Sequence, residues 1–241
     1  MIDIHSHILP GVDDGARTLG QALTMLRMAA DDGVTVQALT PHINAMYKNR
    51  PEDLRAAFDR FVADASGIGV ELRLAAEIAV SPEIPGMIAG ERMPWVGAWE
   101  GRPAFLLEFP ATLIPAGSLR LVGRLVASGV TPIVVHPERN RQFQADPTLL
   151  ADYVKEGCLA QITSGSIAGE YGRTPFQTAI RMTEEGWVHF LATDCHDETH
   201  RPPGMKAGLR QAEEILGKEG ARALVMANPS RLLGLATKEA P

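Results

Sequence analysis

Seven short apolar, β-branched stretches, each followed by a helical pattern, constrain this chain more than any other feature. They cover residues 2–4, 34–39, 70–75, 104–109, 131–135, 158–163 and 188–193. Their starts lie 27 to 36 residues apart, which is the length of one strand-plus-helix unit. Runs that are apolar almost throughout suit strands buried on both faces of a parallel sheet. The segments between them carry helix signals. Thr18 with Gln21 forms a capping box ahead of the stripe Leu19, Ala22, Leu23 and Leu26, and Gly33 closes it. Pro51, followed by Glu52 and Asp53, opens a second helix whose apolar face is Leu54, Phe58 and Phe61. The Pro- and Gly-rich stretch 81–101 reads as an irregular excursion packed by Trp95 and Trp99. No linker or charge block divides the chain, so residues 1–241 are expected to form a single domain.

Strand and helix alternating without a break leave two α/β architectures, an open doubly wound sheet or a closed (β/α) barrel. No Gly-rich phosphate loop follows the first strand, which weakens the dinucleotide-binding form of the open sheet. The residues at the strand ends favour the barrel. The first strand runs into His5-Ser6-His7, whose two imidazoles face the same side because side chains alternate along a strand. Later ends carry His42, Glu77, Glu108, His136 and the pair Asp194 and His196, and Asp13-Asp14-Gly15 lies in the first loop. In a barrel these ends meet on one face, where barrel enzymes build their sites.

Five of the seven histidines occupy such positions. Taken with Asp14, Glu77, Glu108 and Asp194, His5, His7, His42, His136 and His196 make nine candidate ligands. That is too many for one ion and suits two or three. Imidazole alone would suit zinc, whereas added carboxylates favour manganese, iron or magnesium-like coordination. Spacing does not choose between Asp13 and Asp14. Arg139 and Arg201 lie in loops on the same face, and guanidinium forks match phosphate oxygens. The bland reading of these arginines is a surface ion pair with Glu138 or Asp197. Cys195 reads as buried filler, His189 as structural, and His200 carries only a weak claim to substrate.

Composition narrows the classes further. A net charge of -6 argues against a broad nucleic-acid or anionic-membrane surface. Two cysteines are too few for a disulfide framework. The N-terminus lacks a signal-peptide pattern, and no apolar run reaches the roughly 20 residues of a spanning helix. A cytoplasmic protein with no membrane insertion is expected. Three divalent ions would also offset the acidic total, so part of that charge describes a site built for metal.

The ordered set His5-Ser6-His7, Asp13-Asp14-Gly15, Glu77, Leu107-Glu108-Phe109, His136-Pro137-Glu138-Arg139, Asp194-Cys195-His196 and Arg201-Pro202-Pro203 resembles the polymerase and histidinol phosphatase (PHP) superfamily. Within it, the set is most similar to the manganese-dependent protein-tyrosine phosphatases of bacterial capsule and exopolysaccharide operons. The resemblance spans nearly the whole chain. It implies a distorted seven-stranded (β/α) barrel holding three divalent metals, with Mn2+ favoured and iron, cobalt or zinc as substitutes. By position, His5, His7, Glu77 and Asp194 would hold one ion, and Glu77, Glu108 and His136 a second. Asp14, His42 and His196 would hold the third, and Arg139 and Arg201 would grip phosphate. The implied reaction is hydrolysis of phosphotyrosine on a bacterial tyrosine autokinase that controls polysaccharide export. Two departures, Ile78-Ala79 after Glu77 and a less basic loop after His42, bear on substrate preference and not on ligands.

The alternative within enzymes is a PHP phosphoesterase acting on histidinol phosphate or another small phosphate ester. An amidohydrolase barrel also opens with His-x-His but usually adds a carbamylated lysine, and none of the five lysines here stands at a strand end. A non-catalytic regulator on the same scaffold would have no need for all nine ligand positions and both arginines.

Overall fold

The computed structural model describes residues 1–235. Each expected strand forms, though several are shorter or broken. In chain order they are β1 (Ile2–Asp3), β2 (Val36–Leu39), β3 (His42–Ile43), β4 (Glu71–Leu74), β5 (Glu77–Ala79), β6 (Gly97–Trp99), β7 (Arg102–Glu108), β8 (Thr131–Val135), β9 (Leu159–Thr163) and β10 (Phe190–Ala192). Two sheets result. One has the order β1-β2-β4, and the other runs β10-β9-β8-β7-β5-β3 with β6 on β7. All pairings are parallel except β6 with β7.

The second and third expected strands each break and continue in the other sheet. Pro41 sits at the first break; lacking an N–H, it cannot extend the ladder, and the chain steps across to place His42 in β3. The register of β3 on β5 sets His42 directly beside Glu77. Backbone bonds also link the outer strands. His7 N–H donates to Cys195 O at 2.9 Å, and Asp194 N–H to His5 O at 2.9 Å, beyond the ends of β1 and β10.

One buried cluster draws on all seven expected strands through Ile2, Val36, Ala75, Leu106, Ile133, Leu159 and Phe190. The neighbouring residues Phe105, Leu107, Val134 and Ala160 turn the other way, toward the helices. This is the side-chain alternation of a strand covered on both faces. Each fully buried leucine or phenylalanine in these layers stabilises the fold by roughly 1.5–3 kcal/mol.

The helices follow their signals. In the helix Leu19–Asp31, Gln21 N–H donates to Thr18 Oγ1 at 3.2 Å. The Gln21 side chain reaches one residue further back than the box predicts, accepting from Arg17 N–H at 2.9 Å. Pro51 begins the helix Pro51–Asp64, which buries Leu54, Phe58 and Phe61. The excursion is more ordered than expected, with a helix Ile84–Ala89 and strand β6. Trp95 and Trp99 pack edge-on against Phe105 and Phe190. Among the described residues, no helix is long and apolar enough to cross a membrane.

Candidate metal centre

All nine candidate ligands gather at the C-terminal ends of the parallel strands. Three groups have ligand atoms within 4.8 Å of one another: His5, His7, Glu77 and Asp194; His7, Asp14, His42 and His196; and His42, Glu77 and Glu108. His136 falls outside these groups but touches their centre, with Nε2 2.6 Å from Glu77 Oε1. Glu77 is the hub. Its Oε2 lies 3.4 Å from His5 Nε2, 3.3 Å from His7 Nε2 and 2.9 Å from His42 Nδ1. Glu77 and Asp194 are buried, Glu108 is half-buried, and Asp14 is exposed at the rim.

The imidazoles are held from behind. His5 Nδ1 meets Gln161 Oε1 at 2.8 Å, His7 Nδ1 meets Asp13 Oδ2 at 2.7 Å, and His196 Nδ1 meets Asp194 O at 2.9 Å. An acceptor on one ring nitrogen keeps the proton there and turns the other nitrogen inward as a free ligand. The two aspartates therefore separate by role. Asp14 faces His42 and His196 at 3.4 and 3.6 Å, while Asp13 braces His7 and accepts the His42 N–H at 3.1 Å.

Backbone conformation aims several of these side chains. His136 (φ 36) and Asp194 (φ 51) are both left-handed and neither is glycine. Such conformations cost about 1–3 kcal/mol each and persist where the surroundings demand them. Gly15 is needed for a different reason. A Cβ there would lie 1.9 Å from His7 O, so the Asp-Asp-Gly loop can close on the first strand only at glycine. Gly15→Ala is expected to destabilise the protein by about 1–3 kcal/mol and to disturb His7. A thermal melt and metal analysis check this, and unchanged values in both would discount the contact.

The electrostatics suit cations. Despite burial, which alone would raise them, Glu77 is held well below the usual carboxylate range by His5 and His136, and Asp194 by Arg201 and His5. Burial would depress His7, His42 and His136, yet the carboxylates facing them push all three up. Burial and the charge on His7 drive His196 down to about 2. Burial and Glu77 raise Glu108. Without metal, protons on imidazole take the place of cations. Glu77 Oε2 is buried among three imidazole nitrogens but makes no well-aligned hydrogen bond among the described residues. A buried anionic oxygen left this way is costly unless a cation meets it. The donor set of imidazole nitrogens and carboxylate oxygens fits divalent transition metals.

Both arginines reach the same carboxylate and not the neighbours that the bland reading offered. Arg139 Nη1 donates to Asp194 Oδ2 at 2.6 Å, and Arg201 Nη2 donates to the same oxygen and to Asp194 O at 2.9 Å. Together with Asp14, His136 and the apolar Phe109 and Ala111, they line a cavity of about 190 Å³ over the ligands. His189 is structural, accepting from Ala160 N–H at 3.2 Å. Cys195 is buried, and its thiol is pushed up to about 12 by burial and Asp3. His200 stands exposed on Thr199. Asp3 is buried and belongs to none of the ligand groups; it accepts from Thr193 and from the His5 N–H at 3.2 Å.

Sequence reasoning missed two bracing residues. Asp13 was one of two indistinguishable aspartates. Gln161 had a readable signal, a lone polar residue inside the apolar run of β9.

The capsular polysaccharide synthesis model, CpsB/CapC, matches residues 1–234. The tyrosine-protein phosphatase YwqE of Bacillus subtilis is 33% identical over 91% of this chain and 86% of its own. A putative tyrosine-protein phosphatase CapC of Staphylococcus aureus is 32% identical over 84% of this chain and 79% of its own. A solved structure from work on YwqE and on CpsB of Streptococcus pneumoniae, described as unique metal-dependent tyrosine phosphatases, superposes with a TM-score of 0.90. It is 32% identical and covers 100% of this chain and 98% of its own. A β-aspartyl dipeptidase from Fervidobacterium islandicum, 13% identical, superposes at 0.59 over 98% of this chain and 72% of its own, a likeness of fold alone. These relatives bear out the resemblance read from the strand-end residues. By sequence, fold and site, this chain belongs to the CpsB/CapC family of capsular polysaccharide synthesis.

Proposed function

We propose that this protein is a metal-dependent protein-tyrosine phosphatase of capsule or exopolysaccharide synthesis. The observation that carries the reading is one cavity in which three overlapping ligand groups lie beside two arginines on Asp194. The scaffold is a distorted seven-stranded (β/α) barrel forming a single domain. Supporting this are the interior cluster shared by all seven expected strands and the backbone bonds between the ends of β1 and β10. The site takes three divalent ions, with manganese the best match to its mixed imidazole and carboxylate donors.

His5, His7, Glu77 and Asp194 hold one ion, Glu77, Glu108 and His136 a second, and Asp14, His42 and His196 a third. His42 lies close enough to Glu77 and Glu108 to trim the boundary between the last two. When bound, the metals supply Lewis acidity, making water nucleophilic near neutral pH and offsetting phosphate charge. The chain's own residues do the rest. Arg139 and Arg201 bind the phosphate oxygens and stabilise the charge that spreads over them in the transition state. Arg201 Nε is buried with no hydrogen-bond partner among the described residues. Phe109, Ala111 and Pro137 form a dry wall that strengthens these interactions. A tyrosyl leaving group, with an ordinary phenol pKa of about 10, needs less protonation than an alkoxide.

The substrate is the phosphotyrosine-bearing segment of a bacterial tyrosine autokinase, met in the cytoplasm. Side-by-side turnover of a phosphotyrosyl peptide and histidinol phosphate by the metal-loaded protein tests the assignment. At least about tenfold preference for the peptide is expected, or roughly 1.4 kcal/mol of discrimination. The reverse preference would sink it.

Arg139→Ala is expected to lower kcat/KM about a hundredfold while leaving metal content unchanged. Loss of metal in step with activity would mean instead that Arg139 acts by holding Asp194.

A further inference from the structure

Arg139 and Arg201 come from different loops, after β8 and after β10, and each is fixed at Asp194 by one guanidinium edge. A long side chain held at one point keeps much of its rotational freedom. Gripping one phosphate with two guanidinium forks needs their spacing held at a second point. Tyr171 touches both. The Arg139 Cζ lies 5.5 Å from the centre of its ring, and its hydroxyl sits against the Arg201 guanidinium.

Tyr171 is itself held in place. A Cβ on Gly165 would lie 2.7 Å from Tyr171 Cζ and 3.0 Å from Cε2, so the ring rests on bare backbone of the short helix Ser164–Ile167. This accounts for the Ser164-Gly165-Ser166 turn after β9, which offers no ligand to the metal groups. In the circuit Arg139–Asp194–Arg201–Tyr171, Asp194 is buried and the other three are half-buried, and the two arginines line the cavity. When the Asp194 carboxylate turns its charge to a metal, Arg201 keeps its bond to Asp194 O and Tyr171 is the side chain that still joins the two arginines.

We propose that Tyr171, seated on Gly165, is a positioning residue that holds Arg139 and Arg201 at the spacing of a single phosphate. The role rests on the phosphatase reading of the cavity and deepens it. A guanidinium over the ring is restrained by its face, and the hydroxyl lies beside the other guanidinium.

The test measures inorganic phosphate binding to the metal-loaded protein by calorimetry. It is run with metal content and with kcat and KM on a phosphotyrosyl peptide. Tyr171→Leu is expected to weaken phosphate binding about tenfold and raise KM alike, with metal content unchanged. Tyr171→Phe keeps the ring under Arg139 and should lose only about threefold. Gly165→Ala displaces the ring without altering its chemistry and should follow Tyr171→Leu. Adding Arg139→Ala to Tyr171→Leu should weaken binding by less than the two single effects combined. Wild-type phosphate affinity in Tyr171→Leu, loss that tracks metal loss in all three variants, or full additivity overturns the proposal. If phosphate binding depends on Tyr171 but the wild type hydrolyses no phosphotyrosyl peptide, the positioning role stands and the tyrosine phosphatase reading falls.

Discussion

Glu77→Gln is expected to lower kcat/KM by about a thousandfold or more, roughly 4 kcal/mol of transition-state stabilisation. Among the described residues, Glu77 is the one carboxylate in contact with all of His5, His7, His42 and His136. It belongs to two of the three ligand groups, so its loss removes a donor from both. The side chain is buried, and one of its oxygens has no other partner among the described residues. Glutamine keeps the shape and removes the charge, so the fold should survive while metal content falls. Elemental analysis beside a thermal melt separates these effects. A variant with full metal and full turnover would remove Glu77 from the centre of the site.

Chelation is the second large effect, and its size should depend on pH. Metal at a thousand times its dissociation constant stabilises a folded protein by about 4 kcal/mol. For a chain of this size that is a fall of about 8–16 °C in Tm on removal. His7, His42 and His136 are raised in the metal-free protein. Their stabilising protonation is complete below the ordinary imidazole value of about 6.5 and is lost as pH rises through the raised values. Glu77 and Asp194 are lowered, and their contribution is present above the ordinary carboxylate range and lost on acidification. Metal binding must also displace the imidazole protons. The gap in Tm between metal-loaded and chelated protein should therefore widen from about pH 6 to about pH 8.5. Melts across that range decide the matter, and a constant or narrowing gap would argue that these imidazoles do not compete with metal.

Much of this protein could be read before its structure, for local reasons. Near-continuous apolar runs are properties of neighbours in sequence, and the strands formed where they lie. Ligands at strand ends were legible because each follows its strand directly in the chain. What proved illegible depends on contacts between distant segments. The step of the chain at Pro41 into the second sheet sets His42 beside Glu77, a pairing 35 positions apart that only the register decides. The bracing of His5 by Gln161 spans 156 positions.

The sequence by itself determined the α/β class, the set of nine candidate ligands, the two arginines and the family. All of these rest on short-range pattern or on motifs in order along the chain. Only the tertiary structure set the distances among the ligands and gave Asp13 a role of its own. It set Asp14 toward His42 and His196 and turned Asp13 to brace His7. It gathered both arginines onto one oxygen of Asp194 and brought Tyr171 against them. The physical reason is that side-chain pairing follows from strand order, register and left-handed turns at His136 and Asp194, which local periodicity does not encode.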